Sequence, residues 1–237
     1  IDALIDLNTS ISFNINDSFK IKDLNYSVEG NIPHIEISHK NITKIKNYLP
    51  DYNFKLVLKN SDIKFNNWKF GNKAEISGFM EINDHLDKIK INQTYTKNKK
   101  SFEIIGNIDL TNSQVDISTL NYNKEKGRKS EVDFDINFIL NKYYKVKSMN
   151  LFTEIDKISI SGLNLNKKFQ VDNFKSLDIK TFNKKVANNN FSIKNNKEII
   201  ISGDLFDAQP LLKSLYKDDD KKTFSKIFNR KVKINFN

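Results

Sequence analysis

Residues 132–140 read VDFDINFIL. Val132, Phe134, Ile136, Phe138 and Leu140 fall on one side of an extended chain, and Asp133, Asp135 and Asn137 on the other, with Ile139 the one exception. A period of two gives a strand one apolar and one wet face. Working outward, the same stripe recurs at Phe102/Ile104/Gly106/Ile108/Leu110, Ile76/Gly78/Met80/Ile82, Phe54/Leu56/Leu58 and Ile11/Phe13/Ile15. Shorter versions follow at Val115/Ile117, Met149/Leu151, Ile158/Ile160, Leu177/Ile179, Phe191/Ile193, Ile199/Ile201 and Val232/Ile234/Phe236. Clean alternation marks antiparallel sheets with one solvated face, whereas buried parallel strands would read as unbroken apolar runs. Turn residues separate the stripes every 10 to 14 residues or so, which predicts a long meander. At Gly162 the stripe Ile158/Ile160 slips to Leu163/Leu165, and a bulge there would restore the facing.

Of the 237 residues 38% are hydrophobic and 18 are Phe, enough for one large domain or two small ones and too much for a disordered chain. Cys is absent, which excludes a disulfide scaffold, a Cys-based zinc site and a thiol nucleophile. No apolar run approaches the roughly 20 residues of a membrane-spanning helix. The formal charge is +10, but 37 of the 39 basic residues are Lys, with Arg only at Arg128 and Arg230. Nucleic-acid readers favour the planar Arg fork. The Lys also fall in short turn-like clusters at 97–100, 124–129 and 183–185, and Lys, Asn and Ile are what A/T-rich codons supply. Nucleic acid is therefore not the expected partner, and weak attraction to an anionic surface is compatible with the charge.

Two stretches switch to helical spacing. Ile42, Ile45 and Leu49 predict a short helix over 41–49 that Pro50 stops. Asp207 is placed to cap a second, over 208–229, with Pro210 in its first turn and Leu211, Leu212, Leu215 and Tyr216 on one side. The domain reading is a β segment over 1–206, a short helical segment over 207–229 and the start of a further β segment over 230–237. Ile1–Asn8 has no initiator Met and no signal-peptide pattern, and both ends read as cut from a longer chain.

Catalytic chemistry is not written here. His34 and His39 are five apart and point to opposite faces of a strand, so they do not share a metal, and His85 sits in a turn. No nucleophile elbow, P-loop, dinucleotide fingerprint or zinc-protease motif occurs. Asp218–Asp220 lacks the alternating ligands and glycine of a calcium loop and reads as a solvated helix break. No enzyme, metal or cofactor is expected. Trp68, in KFNNWKF at 64–70, reads as ordinary packing near a turn, with carbohydrate stacking or an interface as the alternative.

Residues 199–216, IIISGDLFDAQPLLKSLY, run from a strand through Gly203 and Asp207-Ala208 to Pro210-Leu211-Leu212 opening a helix. This resembles a segment of AsmA-like proteins of the YhdP/TamB group, and the 45–50 stretch IKNYLP followed by a strand is similar to that group too. The resemblance implies a mainly β fold: a long antiparallel meander curled into an open, taco-like groove. It implies part of a bacterial envelope protein anchored in the inner membrane by a segment outside this chain, reaching through the periplasm toward the outer membrane. Phospholipid acyl chains would be the partners, lying against inward apolar residues while headgroups stay at the open seam. The groove candidates are Met80, Ile82, Phe102, Ile104, Ile108, Val132, Phe134, Ile136 and Phe138, and Gly203, Asp207, Pro210, Leu211 and Leu212 form a structural motif. The rival expectation is a β-sandwich or solenoid module whose apolar face is a dry core.

Overall fold

The computed structural model describes residues 2–38, 46–52, 55–82, 84–215 and 231–236. Thirteen strands line up in one sheet in the order β1 (Asp2–Ile15), β2 (Ile21–Ser38), β3 (Lys55–Trp68), β4 (Gly71–Ile82), β5 (His85–Thr96), β6 (Ser101–Asp109), β9 (Ser130–Ile139), β10 (Tyr143–Thr153), β11 (Lys157–Asn166), β13 (Ser176–Asn183), β14 (Val186–Asn195), β15 (Ile199–Leu205) and β16 (Val232–Phe236). A short β12 (Val171–Asn173) adds to β11, while β7 (Val115–Ile117) and β8 (Tyr122–Lys124) form a separate ribbon. The sheet is not closed: β1 and β16 are its two ends. Among the described residues no helix is long and apolar enough to cross a membrane.

All pairs are antiparallel except the last, β15 with β16. A parallel neighbour needs a long crossover, and the stretch from 206 to 231 supplies one. Val232–Phe236 pairs with β15 at the end of the same sheet. Of the expected second helix, α1 (Gln209–Leu215) is described and the rest lies outside the described residues, as do residues 41–45 of the first.

Residues directly opposite each other in a ladder share a face. Registers carry one face across the sheet: Leu58 opposes Met80, Gly78 opposes Ile89, Ile89 opposes Ile108, Ile108 opposes Val132 and Val132 opposes Leu151. It continues from Leu151 through Ile158, Ile179 and Phe191 to Gly203. We call this the inner face. The outer face carries cross-strand charge pairs such as Lys59 with Glu81 and Lys147 with Glu103 and Asp135.

The slip at Gly162 is a bulge shared by two strands: β10 and β11 stay in step through it, and the register shifts against β9 between Val146 and Ser148. Ile160 sits across Met149 from Phe134, and Leu163 sits across Val146 from Ile136. Phe134 and Ile136 share a face of a regular strand, so Ile160 and Leu163 share it too, although they are an odd number of positions apart. Gly162 takes the extra step with a φ of 62°, a conformation glycine adopts without a Cβ penalty.

The stripe Val115/Ile117 does not join the meander. Residues 110–129, between β6 and β9, fold over the inner face as a plug made of the ribbon and a 3-10 turn at Ser118–Leu120. Leu110, Val115 and Tyr122 pack there with Leu58, Met80, Ile82, Ile89, Leu151 and Tyr52 as the hydrophobic core. The plug also shows that the sheet curls. Asn112 N donates to Asp87 of β5 at 2.9 Å, and Asn121 Nδ2 donates to Asp207, just past β15, at 2.7 Å. Seven strand spacings lie between β5 and β15, about 34 Å in a flat sheet. Nine residues of fully extended chain reach about 30 Å, and the 3-10 turn shortens these further. Only a sheet bent around its inner face brings both ends within reach of the plug.

Candidate functional site

The inner face divides along the strands into three zones. In a meander alternate turns lie at opposite edges of the sheet. One edge carries the plug. The other carries the turns 16–20, 69–70, 97–100, 140–142, 167–170 and 196–198, here the turn edge.

The plug zone is a filled core whose rim is polar and hydrogen-bonded. Asp87, 1% exposed, accepts from Asn112 N and from Ser113 Oγ at 2.6 Å. Tyr122 donates its hydroxyl to Asp156 Oδ2 at 3.1 Å, and burial followed by that nearby carboxylate pushes the phenol well above its ordinary pKa. Asp156 is itself buried and is balanced by the Arg128 guanidinium at 2.6 Å, Thr153 Oγ1 at 2.9 Å and Phe182 N at 2.9 Å. Asn189, fully buried, donates to Leu120 O at 2.8 Å and accepts from Asp207 N at 3.0 Å. Asp207 Oδ1 accepts from Gln209 N at 3.0 Å at the start of α1, while its Oδ2 holds Asn121. One side chain thus joins helix start, sheet end and plug. Pro210 lies in the first turn of α1, where the missing N–H costs little. Gly203 faces Phe191, and a Cβ there would fall 2.3 Å from Asn190 O.

Lys124 is the least expected member. The 124–129 cluster reads as solvated turn lysines, yet Lys124 is 0% exposed. Its ammonium donates to the carbonyl oxygens of Leu110, Thr111 (3.2 Å) and Arg128 (3.3 Å). Burial pulls its pKa down to about 8 against the opposing pull of Asp87 and Asp109. Its parity with buried Tyr122, two residues earlier in the same strand, is the one signal that could have marked it.

The middle zone is open and aliphatic with one aromatic across it. Phe134 opposes Gly106, and a Cβ at 106 would fall 2.4 Å from the Phe134 ring, so the ring lies over the space glycine leaves. The third zone, at the turn edge, is a row of rings running across four strands. Tyr95 meets Phe102 at 4.7 Å, Phe102 stacks on Phe138 at 5.1 Å, Phe138 on Tyr144 at 5.6 Å and Tyr144 on Phe169 at 4.5 Å. These rings come from strand ends beside turns, a pattern legible in the sequence once the register is known.

All nine groove candidates lie on the inner face. Met80 and Ile82, at 9% and 3% exposure, are covered by the plug and belong to the core. Ile108 and Val132 pack against that core. Phe102, Ile104, Phe134, Ile136 and Phe138 are half-buried in the middle and aromatic zones. Trp68 sits beside Gly71 at the turn edge, 38% exposed.

No family model matches the chain, and no curated protein or solved structure matches it either.

Proposed function

We propose that this chain provides an apolar groove for phospholipid acyl chains, as a periplasmic segment of an AsmA-like protein that carries lipid between the inner and outer membranes. The observation that carries the reading is the part of the inner face beyond the plug. Phe102, Ile104, Phe134, Ile136 and Phe138 line a curved apolar surface that no segment of the described chain covers. A sheet with one apolar face must bury it against something, and this chain has only one short described helix to offer. Acyl chains supply the cover at about 0.8 kcal/mol per buried CH₂. From Phe134 to Phe138, the uncovered stretch, the strand rises about 13 Å, close to the roughly 15 Å depth of one leaflet of the hydrocarbon core. The surface offers no deep polar pocket, so a chain can shift along it without meeting one dominant trap. No residue of the site is assigned a catalytic part.

The rival, a dry β-module, is favoured by the plug zone alone, where the core is filled. Native mass spectrometry with lipid extraction decides between the two. Phospholipid should co-purify, be lost from F134D/F138D with its β-sheet circular dichroism intact, and be retained in I105D, which adds a carboxylate on the outer face at a residue already 48% exposed. A lipid-free, stable wild-type monomer would make the dry module the better reading.

A further inference from the structure

The six turns of the turn edge carry nine lysines against two acids, Asp17 and Glu198, and Glu198 is held by Lys233 at 2.6 Å. The described turns of the plug edge are balanced, with seven basic and seven acidic residues. Among the described residues, none of Lys97, Lys99, Lys100, Lys142, Lys167 and Lys168 is within ion-pair distance of a carboxylate, whereas outer-face lysines such as Lys55, Lys59 and Lys64 are paired. Among the described residues, then, Lys69 pairs with Asp23 at 3.6 Å, while the turn-edge lysines just named leave a run of unpaired positive charge along one edge of the groove.

Exposed apolar side chains sit among these lysines. Phe19 is 90% exposed next to Lys20, Phe70 56% next to Lys69, Leu140 61% near Lys142, and Phe169 58% next to Lys168. Two of these turns are built alike. In NDSFK at 16–20 and NKKFQ at 166–170 the Asn carbonyl oxygen accepts from the Phe N–H at 2.8 and 2.9 Å, and the Asn Oδ1 accepts from the following residue's N–H. In both, Phe occupies the left-handed backbone region, with φ of 55° at Phe19 and 58° at Phe169. That position suits Gly or Asn, and a bulky residue there is strained. A solvent-exposed Phe kept twice at a strained position, each time beside lysine, gains nothing from packing at Phe19. Strain of this kind points from geometry to use.

We propose that the turn edge docks on the surface of an anionic phospholipid bilayer. The lysines lie against the headgroup charge, and Phe19, Phe70, Leu140 and Phe169 enter the interfacial layer. The ring row from Tyr95 to Tyr144 follows behind them, in the manner of aromatic belts at membrane interfaces. Docking at this edge deepens the groove reading, since it names the side from which a lipid would enter, but the contact with the bilayer does not depend on lipid filling the groove.

Co-sedimentation of the 237-residue chain with vesicles tests it, using equimolar phosphatidylglycerol and phosphatidylcholine against phosphatidylcholine alone. The chain should bind the anionic vesicles, release from them as salt rises, and leave the neutral ones. K97Q/K99Q/K100Q should lower the partition coefficient roughly a hundredfold, at about fivefold per lysine. F19G should lower it by about tenfold while the thermal midpoint stays level or rises, because Phe19 is 90% exposed and glycine relieves the strained backbone. A merely structural Phe would move both together, downward. K184Q/K185Q, at the plug edge, should bind as wild type. Equal binding to neutral vesicles, equal loss in K184Q/K185Q, or wild-type binding by F19G would each overturn the proposal. Lipid seen by native mass spectrometry but no vesicle binding would sink the docking edge and leave the groove standing. The reverse result would sink the groove alone.

Discussion

Replacing Lys124 with Met tests how the plug is held. In the folded chain the ammonium is fully buried and aimed at three carbonyls. Burial, the largest influence, brings its pKa from 10.5 to about 8; Asp87 and Asp109 oppose the fall and Arg128 adds to it. Below about pH 8 both folded and unfolded chains carry the proton, and the native state bears the full cost of burying the charge. Between about pH 8 and 10.5 the folded chain has released the proton while the unfolded chain still holds it. The unfolded state then binds more protons, so stability rises with pH through this window. The gap between the two pKa values corresponds to about 3 kcal/mol. Met removes this dependence and also removes three donated hydrogen bonds. Leu110 O and Thr111 O keep backbone partners in Ser113 N and Gly127 N. Arg128 O alone is left to find a new donor, at a cost of about 1–3 kcal/mol, offset by relief from burying the ammonium. K124M should therefore fall within about 2 kcal/mol of wild type at neutral pH. Relative to K124M, wild type should gain about 3 kcal/mol by pH 10 or so. Urea unfolding followed by far-UV circular dichroism at a series of pH values measures this. Taking the difference between the two proteins cancels the titration of the other lysines. A difference that stays constant with pH, or that moves against wild type as pH rises, would refute the account.

Arg128→Met leaves the buried Asp156 carboxylate with only neutral donors and should cost about 3 kcal/mol; D156N in the same background should recover part of that loss in urea melts, and no recovery would mean that Arg128 acts through packing. Gly203→Ala and Gly106→Ala should differ although both lie on the inner face. At 203 the new Cβ meets the backbone of Asn190 at 2.3 Å, which cannot yield, so a loss of about 3 kcal/mol is expected. At 106 it meets the end of the Phe134 ring at 2.4 Å, which swings aside for about 1 kcal/mol; equal thermal midpoints for the two variants would contradict this. Gly162→Ala places a Cβ in a left-handed backbone and 2.8 Å from Lys175 Cβ, and should cost about 2 kcal/mol, with a neutral result showing that the bulge relaxes.

Parity carried the reading of the sheet a long way and failed where the chain leaves the sheet. The stripes through Phe134, Ile104 and Met80 lie where alternation puts them, and the bulge at Gly162 is detectable because the stripe on either side of it changes parity. The bulge in β3 at Asn60, with a φ of 45°, is harder to see, since no glycine marks it. The plug was missed because Val115-Asp116-Ile117 alternates like any other strand. Only its length of three residues and its partner β8 distinguish it, and both depend on long-range pairing. Lys124 and Asp156 were missed for the same reason. A charged residue is buried by what folds over it, and its own neighbours in sequence carry little sign of that.

Plug and turn edge together give the groove a direction across its width. Apolar burial alone would be satisfied by covering the whole inner face, yet the insert covers it only at one edge, where a buried network of Asp87, Lys124, Tyr122, Asp156 and Asn189 holds the cover in place. Such a network is expensive to build, because each member must be satisfied. It fixes where the cover stops, which a purely apolar plug would not. Beyond that limit the strands continue with Ile, then Phe and Tyr, and end in lysine turns. The order from plug to edge is dry core, aliphatic floor, amphipathic rings, cations. That is the order of polarity met by an anionic amphiphile lying tail-first toward the plug, and it is the reverse of what a second β-layer packed on this face would need. A packed layer would want its most apolar and best-ordered contacts at the centre of the face, with polar rims at both edges. Here one edge is sealed and the other carries charge, which supports the proposed amphiphile with a charged end over a packed protein layer.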